Sequence, residues 1–520
     1  MYWIILKALL LLSTAWFVLR TLRVRDEPQG RSVRLVVGDV SLTVTALLSL
    51  ILAGQAYWQL SAETHAGFNR VVRYDARPWK AAMLSKRREV EDRRGRLLIR
   101  NEEGPSGPVR VYPLGPAAAH LTGYHHRRYG KTGLEAACDR RLLAWHRNVW
   151  EELQPYLEHP HRPGRPQPLA LTLDATLQRT AFEALADRPG AVVVLNPWSG
   201  DVLALVSTPS FDPNLLNEAY FQQLKRDPRG PFLNRALQGL YPPGSVFKLV
   251  TVVAALEQGF DPNTQYDCPA EGYLPPHAST PIRDYQVEVW AREGKVWPGQ
   301  GRIDLPTALR RSANTYFAQL GVALGAAPIL DCARQFGFET SLNSGLTLGG
   351  TAAFAVRPSR LPPSGFGAER DVALLAIGQG RVLATPLQMA LVTAAIANEG
   401  RLMRPRLLLD EPVAEWKQPL SPKTARTLAE MMRGVVEQPD GTGQIVRLPD
   451  VSVAAKTGSA ENPHGPPHAW FVCFAPAERP ELVIAVVVEN GGWGGPVAGP
   501  IARRILLAAK KAGYFGSQAP

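Results

Sequence analysis

One stretch constrains this chain before anything else. From Val40 to Ala62, 23 residues pass without a charge, and most are apolar. About 20 such residues cross the hydrocarbon core of a bilayer as a helix, and the core helices of soluble domains seldom run so long. Tyr57 and Trp58 stand near one end, where aromatic rings favour the membrane interface. A second apolar stretch, Met1 to Leu19, is broken only by Lys7. It ends in Phe17-Val18-Leu19-Arg20, a poor signal-peptide cleavage site, and is read as a helix that either spans the membrane or lies at its surface. Between the two, Arg20, Arg23, Arg25, Arg31 and Arg34 face only Asp26, Glu27 and Asp39. Basic loops stay cytoplasmic, so the second helix runs outward and everything after about residue 63 is expected outside the cell.

At 520 residues, the length allows three or four folded units. The 58 Lys and Arg against 46 Asp and Glu give a net charge of +12, which suits an anionic partner: nucleic acid, lipid headgroups or a cell-wall polymer. An extracytoplasmic position argues against nucleic acid. Four scattered cysteines, Cys138, Cys268, Cys332 and Cys473, form neither a disulfide framework nor a zinc-like pair. Residues 63–165 are polar, basic and irregular. The runs Lys86-Arg87-Arg88 and Arg93-Arg94-Gly95-Arg96 read as a solvated face near anionic headgroups. His159-Pro160-His161-Arg162-Pro163-Gly164-Arg165-Pro166 reads as a linker.

Beyond the linker the pattern becomes that of a packed domain. Leu169–Leu173 is expected as a strand and Ala175–Ala186 as a helix. Two apolar runs, 191–195 and 201–206, flank the turn cluster Asn196-Pro197-Trp198-Ser199-Gly200 and predict a β-hairpin. Further strands are expected at 470–474 and 482–488, with helical periodicity between 245 and 435. Strands at both ends of a helical segment predict an α+β domain whose sheet pairs distant parts of the chain.

Three short motifs carry chemistry. In Pro243-Gly244-Ser245-Val246-Phe247-Lys248 a turn precedes an apolar helical run, and positions i and i+3 place Lys248 on the face of Ser245. A serine hydroxyl is a weak nucleophile, and a lysine of depressed pKa is a base that can activate it. Ser312-Ala313-Asn314 offers a second hydroxyl and an amide for proton relay and substrate placement, although Ser341-Leu342-Asn343 fits the same pattern. Lys456-Thr457-Gly458-Ser459 follows the apolar Val451–Ala455. It presents a cation and two hydroxyls to a carboxylate, and a glycine that lets a substrate backbone approach. A second Lys-Thr-Gly at Lys131-Thr132-Gly133 precedes a helical pattern and is read as coincidence.

In this order the three motifs resemble the signature of the penicillin-binding proteins and serine β-lactamases. Residues about 168–510 are similar to the transpeptidase domain of class B penicillin-binding proteins, with further likeness at Asn234-Arg235-Ala236, Gly378-Gln379-Gly380 and His468–Phe471. Arg94–Leu97, Tyr112–Gly115 and Gly133–Glu135 resemble the family's membrane-proximal pedestal. The resemblance implies a penicillin-binding/β-lactamase-like α+β fold, an antiparallel sheet with helices on both sides. The implied organisation is an anchor over 1–62 (a two-helix hairpin, 1–19 and 40–62), a pedestal over 63–165, the transpeptidase domain over 166–512 and a tail over 513–520.

The resemblance also implies roles. Ser245 would attack the D-Ala-D-Ala carbonyl of a peptidoglycan stem peptide, and Lys248 would take its proton. Ser312 and Asn314 would relay protons and place substrate. Lys456, Thr457 and Ser459 would hold the terminal carboxylate or that of a β-lactam, with Gly458 admitting the substrate backbone. The N–H groups of Ser245 and Ser459 would form the oxyanion hole, and no metal or organic cofactor is called for. Implied partners are stem peptides, β-lactams, membrane lipid and a polytopic glycosyltransferase of the RodA/FtsW type. Ser459 stands where threonine is more usual in the family, and the hydroxyl is kept. Cys473 is expected in the core, on the strand after the Lys-Thr-Gly strand. A D,D-carboxypeptidase or β-lactamase using water as acceptor is the second reading. A non-enzymatic sensor or scaffold for a membrane glycosyltransferase is the third.

Overall fold

A computed structural model of the chain describes residues 42, 44, 46–55, 87–104, 107–143, 167–341, 354–363 and 368–516. The chain divides into two units, residues 1–81 and 82–520. In the first, an apolar helix covers Ala46–Gln55, with Leu47, Leu48, Ile51 and Leu52 exposed. Among the described residues no single helix is long and apolar enough to cross a membrane. The stretch 1–19, and the expected span 40–62 beyond positions 42, 44 and 46–55, lie outside the described residues.

The second unit begins with a small four-stranded sheet. Its strands are β1 (Val90–Glu91), β2 (Leu97–Gly104), β3 (Gly107–Val111) and β4 (Leu169–Ala170), in the order β3-β2-β1-β4. β4 joins β1 in parallel, so residues 87–143 and the chain after the expected linker share one sheet. The linker itself, 159–166, lies outside the described residues. The strand expected over 169–173 is only two residues long, because the chain then turns toward a helix capped by Asp174.

Arg87 departs from the expected solvated face, whereas Arg94 and Arg96 stay exposed as expected. Arg87 is buried, held by Glu135 at 2.8 Å and Asp139 at 2.7 Å, and Arg110 joins Glu135 at 2.8 Å. Arg94 and Arg96 both reach the buried Asp174 carboxylate, at 2.8 and 2.9 Å, and Arg96 also pairs with Asp92. A charged side chain can leave solvent only against opposite charge. The partners of Arg87 lie about 50 positions away, which is why its run alone reads as solvated.

The remaining strands are β5 (Gly190–Leu195), β6 (Val202–Thr208), β7 (Ala454–Asn462), β8 (Gly465–Ala475) and β9 (Leu482–Val488). They form one antiparallel sheet in the order β7-β8-β9-β5-β6, pairing the two ends of the domain as expected. Seven helices frame the site: α1 (Ala175–Leu185), α2 (Lys248–Glu257), α3 (Leu305–Arg311), α4 (Asn314–Leu324), α5 (Pro386–Ala397), α6 (Pro422–Glu437) and α7 (Gly494–Lys511).

Successive strand residues point to opposite faces. Val192, Val194, Phe471, Cys473 and Ile484 pack with α1 and α7, while Val193, Trp470, Val472 and Ala485 join the core of α2, α5 and α6. Both faces are covered, so these strands read as continuous apolar runs. Cys473 is core, as expected, and burial pushes its thiol far up. α5 is buried along its whole length, the expected fate of a helix apolar all round. β7 is the edge strand, and it carries the Lys-Thr-Gly motif.

Candidate active site

Ser245 lies in a 3-10 turn, Gly244–Phe247, that feeds directly into α2 at Lys248. The sequence predicts an α-helix start at this position. In a 3-10 turn side chains at i and i+3 eclipse, which aligns Lys248 with Ser245 more closely than an α-helix would. Ser245 is half-buried, and its hydroxyl has no hydrogen-bond partner among the described residues.

Three contacts hold this turn against β7 and β8. Gly244 has φ +54°, donates its N–H to Gly378 O at 2.9 Å, and would bring a Cβ within 2.6 Å of Ser459 O. The Trp470 indole N–H donates to Pro242 O at 2.9 Å. A Cβ on Gly458 would lie 2.9 Å from Val246 Cγ1, so no larger residue fits there without moving the turn. Gly378 and Trp470 belong to stretches that carry the resemblance, and their work here is to seat the serine.

Lys248 is fully buried. Its Nζ donates to Ser312 O at 2.8 Å and to Asn314 Oδ1 at 2.7 Å, and it stands 5.2 Å over the Phe317 ring. Burial lowers its pKa to about 7, against the opposing charge of Asp284. Lys456, also fully buried, donates to Ser312 Oγ at 2.8 Å and to Thr457 O at 2.8 Å. Burial first, and the Lys248 charge second, hold its ammonium well below the ordinary lysine range. Ser312 therefore stands between the two lysines, its carbonyl on one and its hydroxyl on the other.

Ser312 closes α3 in the left-handed conformation, φ +58° and ψ 38°. That backbone is unfavourable for a residue with a Cβ by about 1 kcal/mol or more. The kink turns the chain from α3 into α4, whose first residue is Asn314. The Asn314 amide is fixed at both ends, since Oδ1 accepts from Lys248 and Nδ2 donates to Arg283 O at 3.0 Å.

On the strand side, Thr457 is buried and donates to Thr442 Oγ1 at 2.8 Å, and Ser459 Oγ accepts the Gly494 N–H at 3.1 Å. The structure thus brings the residues expected from all three motifs to one place: Ser245, Lys248, Ser312, Asn314, Lys456, Thr457, Gly458 and Ser459. The competing Lys131-Thr132-Gly133 leads into a short helix, Gly133–Ala137, and not onto the edge strand. Of Ser341-Leu342-Asn343, the last two residues lie outside the described residues.

Sequence reading missed two supports. Asp284, buried, accepts the N–H groups of Asn314 and Thr315 and the Thr315 hydroxyl, capping α4 from a distant segment. Thr442 follows Asp440, which pairs with Arg310 and Arg311 at the end of α3. Neither residue stands in a local pattern that marks it. Among the described residues no group of three His, Cys, Asp or Glu side chains is arranged to hold a metal ion.

Comparison with known proteins agrees with this geometry. The family model described as the penicillin-binding protein transpeptidase domain matches residues 190–507. The chain is 32% identical to the peptidoglycan D,D-transpeptidase PbpA of Mycolicibacterium smegmatis, over 91% of this chain and 98% of that one. It is 32% identical to the peptidoglycan D,D-transpeptidase MrdA of Escherichia coli K12, over 65% of this chain and 56% of that one. Among solved structures, penicillin-binding protein A of M. tuberculosis in its penicillin G acyl-enzyme complex superposes with TM-score 0.71 at 32% identity, covering 82% of this chain and 99% of that one.

Proposed function

The chain belongs to the penicillin-binding protein transpeptidase family and is a serine-type peptidoglycan D,D-transpeptidase; from that premise we propose that Ser245 is its nucleophile and Lys248 its base. The observation that carries this reading is the pair of buried lysines meeting at Ser312 beside Ser245. A lysine with a pKa near 7 is neutral in about half of the molecules at neutral pH and accepts the Ser245 proton as Oγ attacks the carbonyl of the penultimate D-Ala. The N–H groups of Ser245 and Ser459 receive the oxyanion, a contribution typically worth about 10²–10³ in rate per donor. Ser312 hands a proton to the departing D-Ala nitrogen and takes one in return from Lys456, whose Nζ donates to its Oγ at 2.8 Å. Asn314 holds the substrate amide, and Lys456, Thr457 and Ser459 hold the terminal carboxylate. The amine of a second stem peptide then attacks the acyl-enzyme, losing a proton to Ser312 and Lys456 while Lys248 returns its proton to Ser245; this forms the cross-link and releases the serine.

A β-lactam enters the same site, with its amide in the place of the scissile bond and its carboxylate on the Lys-Thr-Gly strand. The penicillin G acyl-enzyme of the M. tuberculosis relative supports this reading. The uncharged stretch 40–62 and the basic loop before it support a membrane anchor over 1–62, with 63–165 as pedestal and the catalytic domain outside the bacterial cell membrane. The first helices and pedestal are then the surface for a RodA/FtsW-type glycosyltransferase, with no role for nucleic acid.

Intact-mass spectrometry of the chain mixed with benzylpenicillin, followed over hours, tests the reading. A single long-lived adduct that Ser245→Ala abolishes is the expected result. A fleeting adduct with penicillin consumed points to the hydrolase reading. No adduct on folded protein overturns the assignment of Ser245.

A further inference from the structure

The loop after α6 carries groups to which the reaction above gives no task. Thr457 donates its hydroxyl hydrogen to Thr442 Oγ1 at 2.8 Å. Thr442 is itself tied twice to one acceptor, its N–H and its hydroxyl each lying 3.3 Å from Arg310 O. Arg310 stands in the last turn of α3, two residues before Ser312. Asp440 clamps the loop to the same helix end through ion pairs with Arg310 and Arg311, both at 2.6 Å. A Cβ on Gly441 would lie 2.2 Å from Val435 O, so the loop is folded tightly onto the end of α6. The start of α7 closes over the pair, since a Cβ on Gly495 would lie 3.2 Å from Thr442 O and 3.8 Å from Thr457 Cγ2.

A hydroxyl both donates and accepts, and its hydrogen rotates to suit its neighbours. Two hydroxyls 2.8 Å apart therefore bond equally well in either direction. The Arg310 carbonyl can only accept, so while Thr442 gives it its hydrogen, the hydrogen between the pair comes from Thr457. To bind a carboxylate, Thr457 must turn that hydrogen to the ligand. Thr442 can answer by turning its own hydrogen from Arg310 O to Thr457 Oγ1. The Arg310 carbonyl keeps the Thr442 N–H, so no group in the loop loses its last partner. The reversal also lines up the chain Thr442 to Thr457 to carboxylate, in which each bond polarises the next.

We propose that Thr442 is a positioning residue for carboxylate recognition: it reverses its hydrogen bond with Thr457 so that the Thr457 hydroxyl donates to the carboxylate of the stem peptide or β-lactam. The proposal rests on the assignment of Thr457 to carboxylate binding made above. It adds a fourth segment, the Asp440–Thr442 loop, to the three that the motifs mark. It also links that loop to Ser312 through the end of α3.

The test compares acylation of the wild-type full chain, Thr442→Val and Thr442→Ser by benzylpenicillin and by its carboxyl methyl ester. Valine keeps the shape and removes the hydroxyl. The half-saturating benzylpenicillin concentration should rise about fivefold in Thr442→Val, the worth of one neutral hydrogen bond. The limiting acylation rate should change little, and Thr442→Ser should restore wild-type behaviour. With the methyl ester, which presents no carboxylate, all three proteins should react at the same efficiency. Unchanged half-saturation in Thr442→Val overturns the proposal. So does an equal loss with the ester, or a serine that fails to rescue. If thermal melting shows that Thr442→Val does not fold, Thr442→Ala takes its place under the same criteria. Failure of the wild type to acylate overturns the parent assignment and this one with it, and it is distinguished by appearing without any Thr442 substitution.

Discussion

Acylation should fall about tenfold for each pH unit below about 7, because Lys248 must be neutral to act and its pKa stands at about 7. The structure supplies the cause. The Lys248 hydrogens go to two neutral acceptors, Ser312 O and Asn314 Oδ1, and the ammonium itself is fully buried. Desolvation therefore outweighs the opposing charge of Asp284. At pH 7 roughly half of the molecules carry the base in working form, against about one in a few thousand for an unperturbed lysine. The assay is the second-order acylation constant with a fluorescent penicillin between pH 5.5 and 9. It should show an ascending limb of unit slope, then a plateau. Asp284→Asn removes the charge that favours the ammonium, so the limb should move to lower pH. Lys248→Ala should cost about 10²–10⁴ and abolish the limb. A profile flat through pH 6 to 8, or a midpoint near that of a free lysine, would falsify the assignment of Lys248 as base.

Three further outcomes follow from packing and backbone. Gly458→Ala places a Cβ 2.9 Å from Val246 Cγ1 and 3.0 Å from Trp470 Cβ, so it should push the Ser245 turn off the strand and cut acylation about 100-fold in protein that still melts cooperatively. Ser312→Gly and Ser312→Ala should lose acylation alike, yet calorimetry should find the glycine variant more stable by about 1 kcal/mol, because φ +58° strains any residue with a Cβ. Asp174 caps α1 and accepts from Arg94, Arg96 and Tyr514; burial alone would raise its pKa, but these hydrogen bonds hold the carboxyl below its ordinary value. Its contribution is therefore full above the unfolded value of about 4 and lost as pH falls through the lower folded one. Asp174→Ala should destabilise the chain by about 2–3 kcal/mol in urea titrations at pH 7, with the difference shrinking below pH 4.

How much of this was legible in the sequence depends on whether a contact is local. The hairpin at 190–208, the strands at 470–474 and 482–488 and the helix from Pro386 are written in apolar periodicity, and they form as expected. Ser245 and Lys248 are legible together because three positions along one turn fix their relation. The direction of the Lys248 pKa is legible only in part. A lysine beside a serine invites the idea of a base, but the value near 7 depends on Phe317, Ser312 and Asn314, about 65 positions away, closing around it. The buried arginines mark the same boundary from the other side. Arg87 reads as solvated because its carboxylates, Glu135 and Asp139, come from a helix pair that no local pattern connects to it.

Asp284 and Thr442 show what kind of residue such reading loses. Each acts on a motif residue through a hydrogen bond, Asp284 on Asn314 across 30 positions and Thr442 on Thr457 across 15, and each lies in a segment without regular periodicity. Their identities are ordinary turn chemistry: an aspartate that accepts backbone N–H groups, and a threonine between two glycines. What turns them into site residues is that the acceptors and donors they meet belong to Asn314, Arg310 and Thr457. A short motif names the groups that touch substrate, since chemistry restricts their type. The groups that hold those in register are restricted only by geometry, and several residue types satisfy it. The second set therefore emerges only once the fold has brought the end of α3, the loop after α6 and the edge strand β7 together, and it is there that variation in carboxylate affinity at constant chemistry should be sought.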